Sequence, residues 1–551
     1  MGIRTNSPGS SRESSPEAWA SPYSNRKSPL PSVGPQEEET EYLYDQNFFK
    51  LRDVCLKNGT LFEDPEFPDD NDLLRDRSHR YEEEIEWMRP HDILRGREEP
   101  VLVAEANEGF DIRKGLDTWF VPALSAIAEN EKLLRKVVPR DQGFSQKENY
   151  AGIFRFRFWF GFWIEIVVDD RLPVRRDEPL YLKSNSELEF WPSLVEKAYA
   201  KAKGSYELLN HWPPIDGCIE LTGGTPERVR NLNQLLTEDA QDADRLFFDV
   251  LRALRVGNIV LASPPPKTRE DKLRLAEATE LGLQVKHIYR VTQVANLGQG
   301  RQLIRVKDCS RTTASIWIGA WHPKDARWSH IPDEARRELD SETFHDGGFW
   351  MAYGDFLKYF KTLDICHISH NIDTSASFRG RWEADHNAGG VLKGDFRNYA
   401  CNPQCFIQLD DPDYKDPLAR CSAIISLMQK RKAHSRAKGM NKIGFKVYKV
   451  EDEVEELSRD FFFLRRNDKS HKKVAKTPTW HDGRETNIRV RLPPGKYCII
   501  PSTYEPEVEG DFILRVHFEK YSREGDAEYS HQTLDYEEGE DEVDEHSKLI
   551  E

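Results

Sequence analysis

The chain has 551 residues, 38% of them hydrophobic and 32% charged, too long for one hydrophobic core and suited to roughly three domains of about 100–200 residues each. With 79 basic against 95 acidic residues the net charge is −16, and an acidic chain lacks the cationic face that bulk nucleic-acid binding needs. No stretch approaches the roughly 20 apolar residues of a transmembrane helix, no apolar signal segment opens the chain, and eight scattered cysteines without a CxxC pair argue against a disulfide framework or a zinc ribbon.

Residues 1–46 read as a disordered Ser/Pro-rich tail, because they bury too little apolar surface to offset ordering entropy. Its Ser-Pro dipeptides at Ser7, Ser15, Ser21 and Ser28 are candidate proline-directed phosphorylation sites. From 47 to 214 apolar helical patterns dominate, as in 118–138 and 190–209. Between them FRFRFWFGFWIEIVVDDRLPV (154–174) alternates and then becomes continuously apolar, which suits central strands with a turn at Asp169–Asp170. From 215 to 368 short strands take over. VKHIYRVTQVAN (285–296) carries His287 near its start, and QLIRVKDC (302–309) carries Asp308 near its end. From 369 to 521 the runs FILRVHF, IGFKVYKV, FFFLR and NIRVRLPPGKYCIIPS read as strands between Gly, Pro and Asn turns, the pattern of an antiparallel sandwich. Residues 522–551 read as an acidic solvated tail.

Several phrases accumulate in order: LFEDPEFP (61–68), WMRP (87–90), GLDTWFVPALSAIA (115–128), VVDDRLP (167–173) and EFWPSLVEKAYAKAKGSYE (189–207). GLQVKHIYRV (282–291), LIRVKD (303–308), GGFWMAYGDFLKYFKTLDIC (347–366) and HDGRETNIRVRLPPGKYCIIPSTYEPEVEGDFILRV (481–516) follow. Together they resemble the calpain family of cytosolic calcium-dependent cysteine proteases, and within it an insect type that lacks active-site residues. The resemblance implies an α+β fold and a cytoplasmic location. A two-lobed papain-like cysteine-protease core would span 47–214 and 215–368, followed by a C2-like antiparallel β-sandwich over 369–521. The chain has no DxDxDG loop with a distal Glu, so no penta-EF-hand dimerisation domain is expected.

A papain-like site needs a thiolate, a His base, an orienting Asn or Asp and an oxyanion donor. The family's nucleophile stretch corresponds to Asp111–Phe120. By this resemblance Thr118 stands for the Cys, Lys114 for the oxyanion Gln, His287 for the His and Asp308 for the Asn. The loop is two residues shorter than the family's, and Cys309-Ser310-Arg311 replaces the Pro-Trp-Gly beside the site. An internal Thr hydroxyl has a pKa far above a thiol's, and Thr nucleophiles use their own N-terminal amine as base. A lost oxyanion donor costs roughly 2.7–4 kcal/mol of barrier, and about 1 Å of misplacement on the order of a hundredfold in rate. The expectation is therefore an inactive homologue with a regulatory, scaffolding or substrate-sequestering role. Its partners would be proteins, either calpain substrates or cytoskeletal components. The alternatives are a weakly active endopeptidase using Thr118, His287 and Asp308, or a calcium/phospholipid-binding module. Cys309 reads as a small half-buried residue on the His-bearing half.

The resemblance also implies a calcium site in each lobe. In the first, the family's carboxylates map onto Asp111 and Glu189, with carbonyl ligands from Ala104–Ala106. In the second, Ile316, Pro323 and Gly348 replace acidic residues and Asp346 alone remains, so this site is expected to be lost. One core calcium site at most is expected, and no other cofactor. In the sandwich Asp410, Asp411, Asp413 and Asp416 match the family's acidic loop. The basic residues Lys430, Arg431, Lys432, Arg436 and Lys438, with the run Arg465–Lys473, suit anionic phospholipid at about 1 kcal/mol per cation, or the acidic loop itself.

Overall fold

The computed structural model describes residues 41–74, 85–104, 110–112, 120–211, 213–238, 240–264, 271–284, 287–298, 300–309, 317–339, 347–368, 375–392, 396–413, 416–429, 440–464, 473–480 and 482–519. The first lobe begins earlier than the composition suggests. Glu41–Tyr42 is a short strand, and the buried Gln46 donates to Asp64 Oδ1 at 3.0 Å and accepts from Lys201 Nζ at 2.5 Å. These interactions anchor 41–46, a segment whose composition alone reads as tail.

The 118–138 pattern contains two helices, α1 (Val121–Ala128) and α2 (Glu131–Val137). Asn130 separates them: its backbone is extended, and its side chain caps α2 by accepting from Leu133 N–H at 3.2 Å. The alternating run forms the antiparallel pair β1 (Ile153–Trp159) and β2 (Trp163–Asp169). Their connecting turn lies at 160–162, where Gly161 holds a φ of +104°. Packed on the pair is α3 (Trp191–Lys203), with Pro192 in its first turn and a left-handed Gly204 after its last.

The polar positions of α3 from Ser193 to Lys201 are buried as well, and each finds partners. Lys197 Nζ donates to Asp169 Oδ1 at 2.7 Å and to the Arg171 carbonyl at 2.5 Å. Lys201 Nζ donates to Asp64 Oδ2 at 2.6 Å and to the Val167 carbonyl at 2.7 Å. Such pairs tolerate desolvation because each charge is fully hydrogen-bonded. Glu196 differs: it accepts from Leu182 N–H at 2.9 Å, and burial pushes its carboxyl up to about 8.

A helix, α4 (Pro214–Thr222), ends the first lobe, and Gly223-Gly224 lead directly into β3 (Thr225–Arg230) of the second. The second core is covered by α5 (Ala240–Arg255), which buries Leu246, Phe247, Val250 and Ala253 at helical spacing. The remaining strands are β4 (Ile259–Ser263), β5 (Tyr289–Asn296), β6 (Gln302–Asp308), β7 (Gly348–Ala352) and β8 (Thr362–His367). They form an antiparallel sheet in the order β7-β6-β5-β4-β8-β3.

The third core lies between two four-stranded antiparallel sheets. The strands are β9 (Ser375–Trp382), β10 (Cys405–Leu409), β11 (Cys421–Gln429), β12 (Ile443–Val450), β13 (Lys473–Lys476), β14 (Glu485–Leu492), β15 (Gly495–Thr503) and β16 (Gly510–Phe518). The sheet orders are β9-β16-β11-β14 and β10-β15-β12-β13. One expected strand is absent: FFFLR lies within the helix Arg459–Leu464 up to Leu464, and Arg465 is outside the described residues. Phe462 packs edge-on against Tyr399 and Tyr448 at 5.1 and 5.6 Å, so an aromatic cluster claims the segment.

One face of this sandwich is buried against both lobes. In β14, Val490 and Leu492 point into the sandwich, while Arg489 and Arg491 point out of it. Arg489 grips Glu227 of β3 with two bonds, 2.6 and 2.8 Å, and Arg491 donates to Asp249 of α5 at 2.6 Å. Burial raises the Glu227 carboxyl, but the Arg489 guanidinium and the His367 ring outweigh that effect and bring it down to about 2. Arg515 of β16 lies 4.4 Å from the Trp159 ring centre and donates to the Gly223 and Gly224 carbonyls at 3.0 and 2.7 Å. Arg484 pairs with Glu220 of α4. Ile513 and Met428 enter the first lobe's core, and a Cβ on Gly161 would meet Ile513 Cδ1 at 2.6 Å. This double coverage is why β11 is buried at every residue.

Glu196 makes stability fall with pH. Between an unfolded value near 4.5 and a folded value of about 8, the folded chain holds the extra proton, so each step upward disfavours folding. Glu196→Gln should therefore raise the thermal midpoint at pH 8 and leave it nearly unchanged at pH 4.5, read by scanning calorimetry. Arg489→Met should leave the Glu227 charge buried without its guanidinium and cost about 3–5 kcal/mol in denaturant unfolding.

Candidate functional site

The second-lobe sheet brings His287 and Asp308 together. His287 lies two residues before β5; its N–H donates to the Gln284 carbonyl at 3.3 Å, and Gln284 N–H donates to the Tyr289 hydroxyl at 2.8 Å. Asp308 ends β6, and its N–H donates to the Gly347 carbonyl at 3.2 Å. The antiparallel register sets Tyr289 opposite Asp308, which carries the His287 ring to the carboxylate. His287 Nδ1 lies 2.8 Å from Asp308 Oδ2. A carboxylate there accepts the Nδ1 proton and fixes the tautomer that carries it. The imidazole side chain is 26% exposed and the Asp308 side chain 7%.

Lys114 and Thr118 lie outside the described residues, as does the side chain of Asp111. The flanks of that stretch are fixed. Phe110–Ile112 pairs antiparallel with Leu182–Ser184, and Phe120, at the start of α1, stacks on Tyr199 with ring centres 4.5 Å apart.

All eight cysteines fall in the described residues. Seven are buried; the exposed one, Cys401, belongs to the sandwich. Cys309 follows Asp308 but turns into the first lobe's core and is buried rather than half-buried. Burial raises its thiol pKa, which makes it a poor nucleophile at neutral pH.

The calcium expectation meets a carboxylate already engaged. Glu189 Oε1 accepts from Ala104 N–H at 2.8 Å, and Oε2 accepts from Ser184 Oγ at 2.5 Å. Among the described residues no group of three His, Cys, Asp or Glu side chains is placed to hold a metal. The Asp111 side chain and residues 105–106, which the resemblance would add to Glu189, lie outside the described residues. In the second lobe Gly348 opens β7, and Pro323 lies in a loop stitched by Asp325. That carboxylate accepts from Trp321 N–H at 2.7 Å and Arg327 N–H at 2.9 Å, and pairs with the Arg327 guanidinium at 2.6 Å. Ile316 and Asp346 lie outside the described residues.

In the sandwich's acidic loop, Asp413 pairs with Arg252 of α5 at 3.5 Å and Asp416 with Arg420 at 2.6 Å. The Arg420 guanidinium holds the Asp416 carboxyl below the usual carboxylate range. Asp410 is exposed and Asp411 half-buried. A cavity of about 330 Å³ opens between this loop and α5, with Arg245, Asp249, Arg252, Asp413, Arg420 and Arg491 in its wall. The basic residues 430–438 lie outside the described residues, as does the second basic run except Lys473. Sequence reasoning missed Arg489, Arg491 and Arg515. Its available signal was arginine at alternate positions of strands that are otherwise apolar.

A two-lobed α+β core with a His–carboxylate pair at its second sheet, followed by an antiparallel sandwich, is the build of a papain-like cysteine-protease core joined to a C2-like domain. Residues 62–367 match the family model described as calpain family cysteine protease, and residues 378–517 match calpain large subunit, domain III. The chain is 36% identical to Calpain-B of Drosophila melanogaster over 497 residues, which cover 85% of this chain and 51% of that protein. It is 35% identical to Calpain-8 of Rattus norvegicus over 566 residues, covering 97% and 76% respectively. It is also 35% identical to the Calpain-2 catalytic subunit of Bos taurus over 520 residues, covering 89% and 70%. The chain belongs to the calpain family. It spans only 51% and 58% of the length of the Drosophila Calpain-B and Calpain-A it matches. Among the described residues no helix is long and apolar enough to cross a membrane.

The burial pattern predicts that a water-soluble thiol reagent modifies Cys401 in the native protein and the other seven cysteines only after denaturation, with peptide mass mapping as the readout.

Proposed function

We propose that this calpain-family chain binds polypeptides without cleaving them and acts as a regulator, scaffold or sequestering partner of calpain substrates or cytoskeletal proteins. The reading takes Thr118 in place of the nucleophilic Cys and Lys114 in place of the oxyanion donor. One observation carries it: the His287–Asp308 pair is assembled, yet seven of the chain's eight thiols are buried and the eighth lies in the sandwich. A base that can draw a proton through Nε2 then has no thiol to draw it from. A Thr hydroxyl is a far weaker acid, and the imidazole would leave it protonated.

On this reading the cleft holds an extended polypeptide by its walls, and Asp308 keeps the His287 ring oriented as part of the binding surface. Asp111 and Glu189 are the residues that would hold calcium, one ion at most, beside the stretch that leads to Thr118. Anionic phospholipid is the partner proposed for the basic runs of the sandwich, and the cytoplasm the proposed location.

The test is casein cleavage by the purified chain, in calcium and in chelator. No cleavage is expected in either, beside an active calpain as positive control. Cleavage that His287→Ala abolishes would overturn the proposal and favour the Thr118 endopeptidase.

A further inference from the structure

Two cations stand directly opposite one another on neighbouring strands of the second lobe: Arg290 of β5 is the cross-strand partner of Lys307 of β6. Like charges so placed repel, and a sheet rarely keeps them without an anion between. The anion comes from the other lobe. Glu129, the residue that caps the C-terminus of α1, pairs with Arg290 Nη2 through one oxygen and accepts from Lys307 Nζ at 3.3 Å through the other. Arg290 Nη1 also donates to Ser125 Oγ, one turn back on α1, at 3.4 Å.

The pair is buried on one side only: Glu129 is half exposed, but Arg290 is 8% exposed, so its guanidinium depends on the partners α1 supplies. The neighbours on the same face are committed to the first lobe as well: Ile288 packs against its core and Cys309 lies within it. The position matters too. Arg290 follows His287 by three residues, Lys307 immediately precedes Asp308, and α1 follows immediately on the stretch that holds Thr118.

We propose that Glu129, Arg290 and Lys307 form a clamp that fixes the spacing of the two lobes through side chains alone, with no bound cation required. Glu129 is a positioning residue: it sets where the first lobe stands relative to the His287–Asp308 pair. The clamp is independent of which residue occupies the nucleophile position, and it stands whether or not the chain cleaves peptides.

The experiment measures the inter-lobe distance in the full chain by pulsed dipolar spectroscopy. Spin labels go on Lys132→Cys in α2 and on Leu273→Cys in the helix Lys272–Glu280, where Leu273 is 88% exposed, with Cys401→Ser to remove the reactive thiol. The otherwise unaltered protein should give one narrow distance in chelator. Glu129→Lys should broaden the distribution roughly twofold or shift it, because relative domain motion is the default once an interface is weakened. The charge swap, Glu129→Arg with Arg290→Glu, should restore the narrow distance. Glu129→Gln is read in the same way if Glu129→Lys does not fold. An unchanged distribution in the folded charge-removing variant would overturn the clamp. Broadening that the swap does not reverse would also overturn it, since the effect would then not run through the pair.

Discussion

A guanidinium buried between domains has to be met by a carboxylate or a carbonyl, and that requirement organises this chain. Arg489 and Glu227 satisfy each other with two hydrogen bonds, and the same cluster takes in Ser422, Glu519 and His367. Arg515 meets the requirement differently, on the carbonyls of Gly223 and Gly224, the peptides where the chain crosses from the first lobe to the second. The sandwich therefore holds the hinge between the lobes, not merely their outer surfaces. Removing Arg489 would loosen the sandwich from the second lobe, and removing Arg515 would loosen it from Trp159 and the inter-lobe peptides.

Besides the apolar contact in which Ile259, Leu261, Cys309 and Cys366 of the second lobe join the first lobe's core, the lobes are joined at two places with different chemistry. At the hinge the connection is covalent and is gripped by Arg515 through neutral carbonyls. Across from it, near the His287–Asp308 pair, the connection is electrostatic and runs from Glu129 to two cations. Two separated attachments define an orientation, where one would leave rotation free. Lobes so held present a pre-set surface around the His287–Asp308 pair. Such a surface loses less conformational entropy on binding than one that must first close.

How much of this the sequence discloses depends on the range of the interaction. The strand that follows His287 and the strand that ends at Asp308 are legible because two short alternating runs need only a turn and each other. The sandwich is legible for the same reason, as repeated strands between turn residues. FFFLR misleads because three phenylalanines look like a strand until Tyr399 and Tyr448 offer Phe462 an aromatic pocket. Residues 41–46 mislead in the opposite sense: a polar segment is ordered because Lys201 and Asp64 need Gln46. The outward arginines of β14 cannot be assigned from local pattern at all, since Glu227 lies 262 residues from Arg489. For the site, His287 and Asp308 follow from the resemblance, whereas Glu129 becomes visible only when the register sets Arg290 against Lys307.

That separation of 262 residues has a temporal side. Ribosomes add roughly 5–20 residues per second, so Glu227 leaves the ribosome on the order of tens of seconds before Arg489 exists. Through that interval Glu227 remains a hydrated anion, and the surfaces destined for Met428 and Ile513 stay open to water. The nascent lobes are thus an incomplete product with an exposed seam until the final strands of the sandwich arrive.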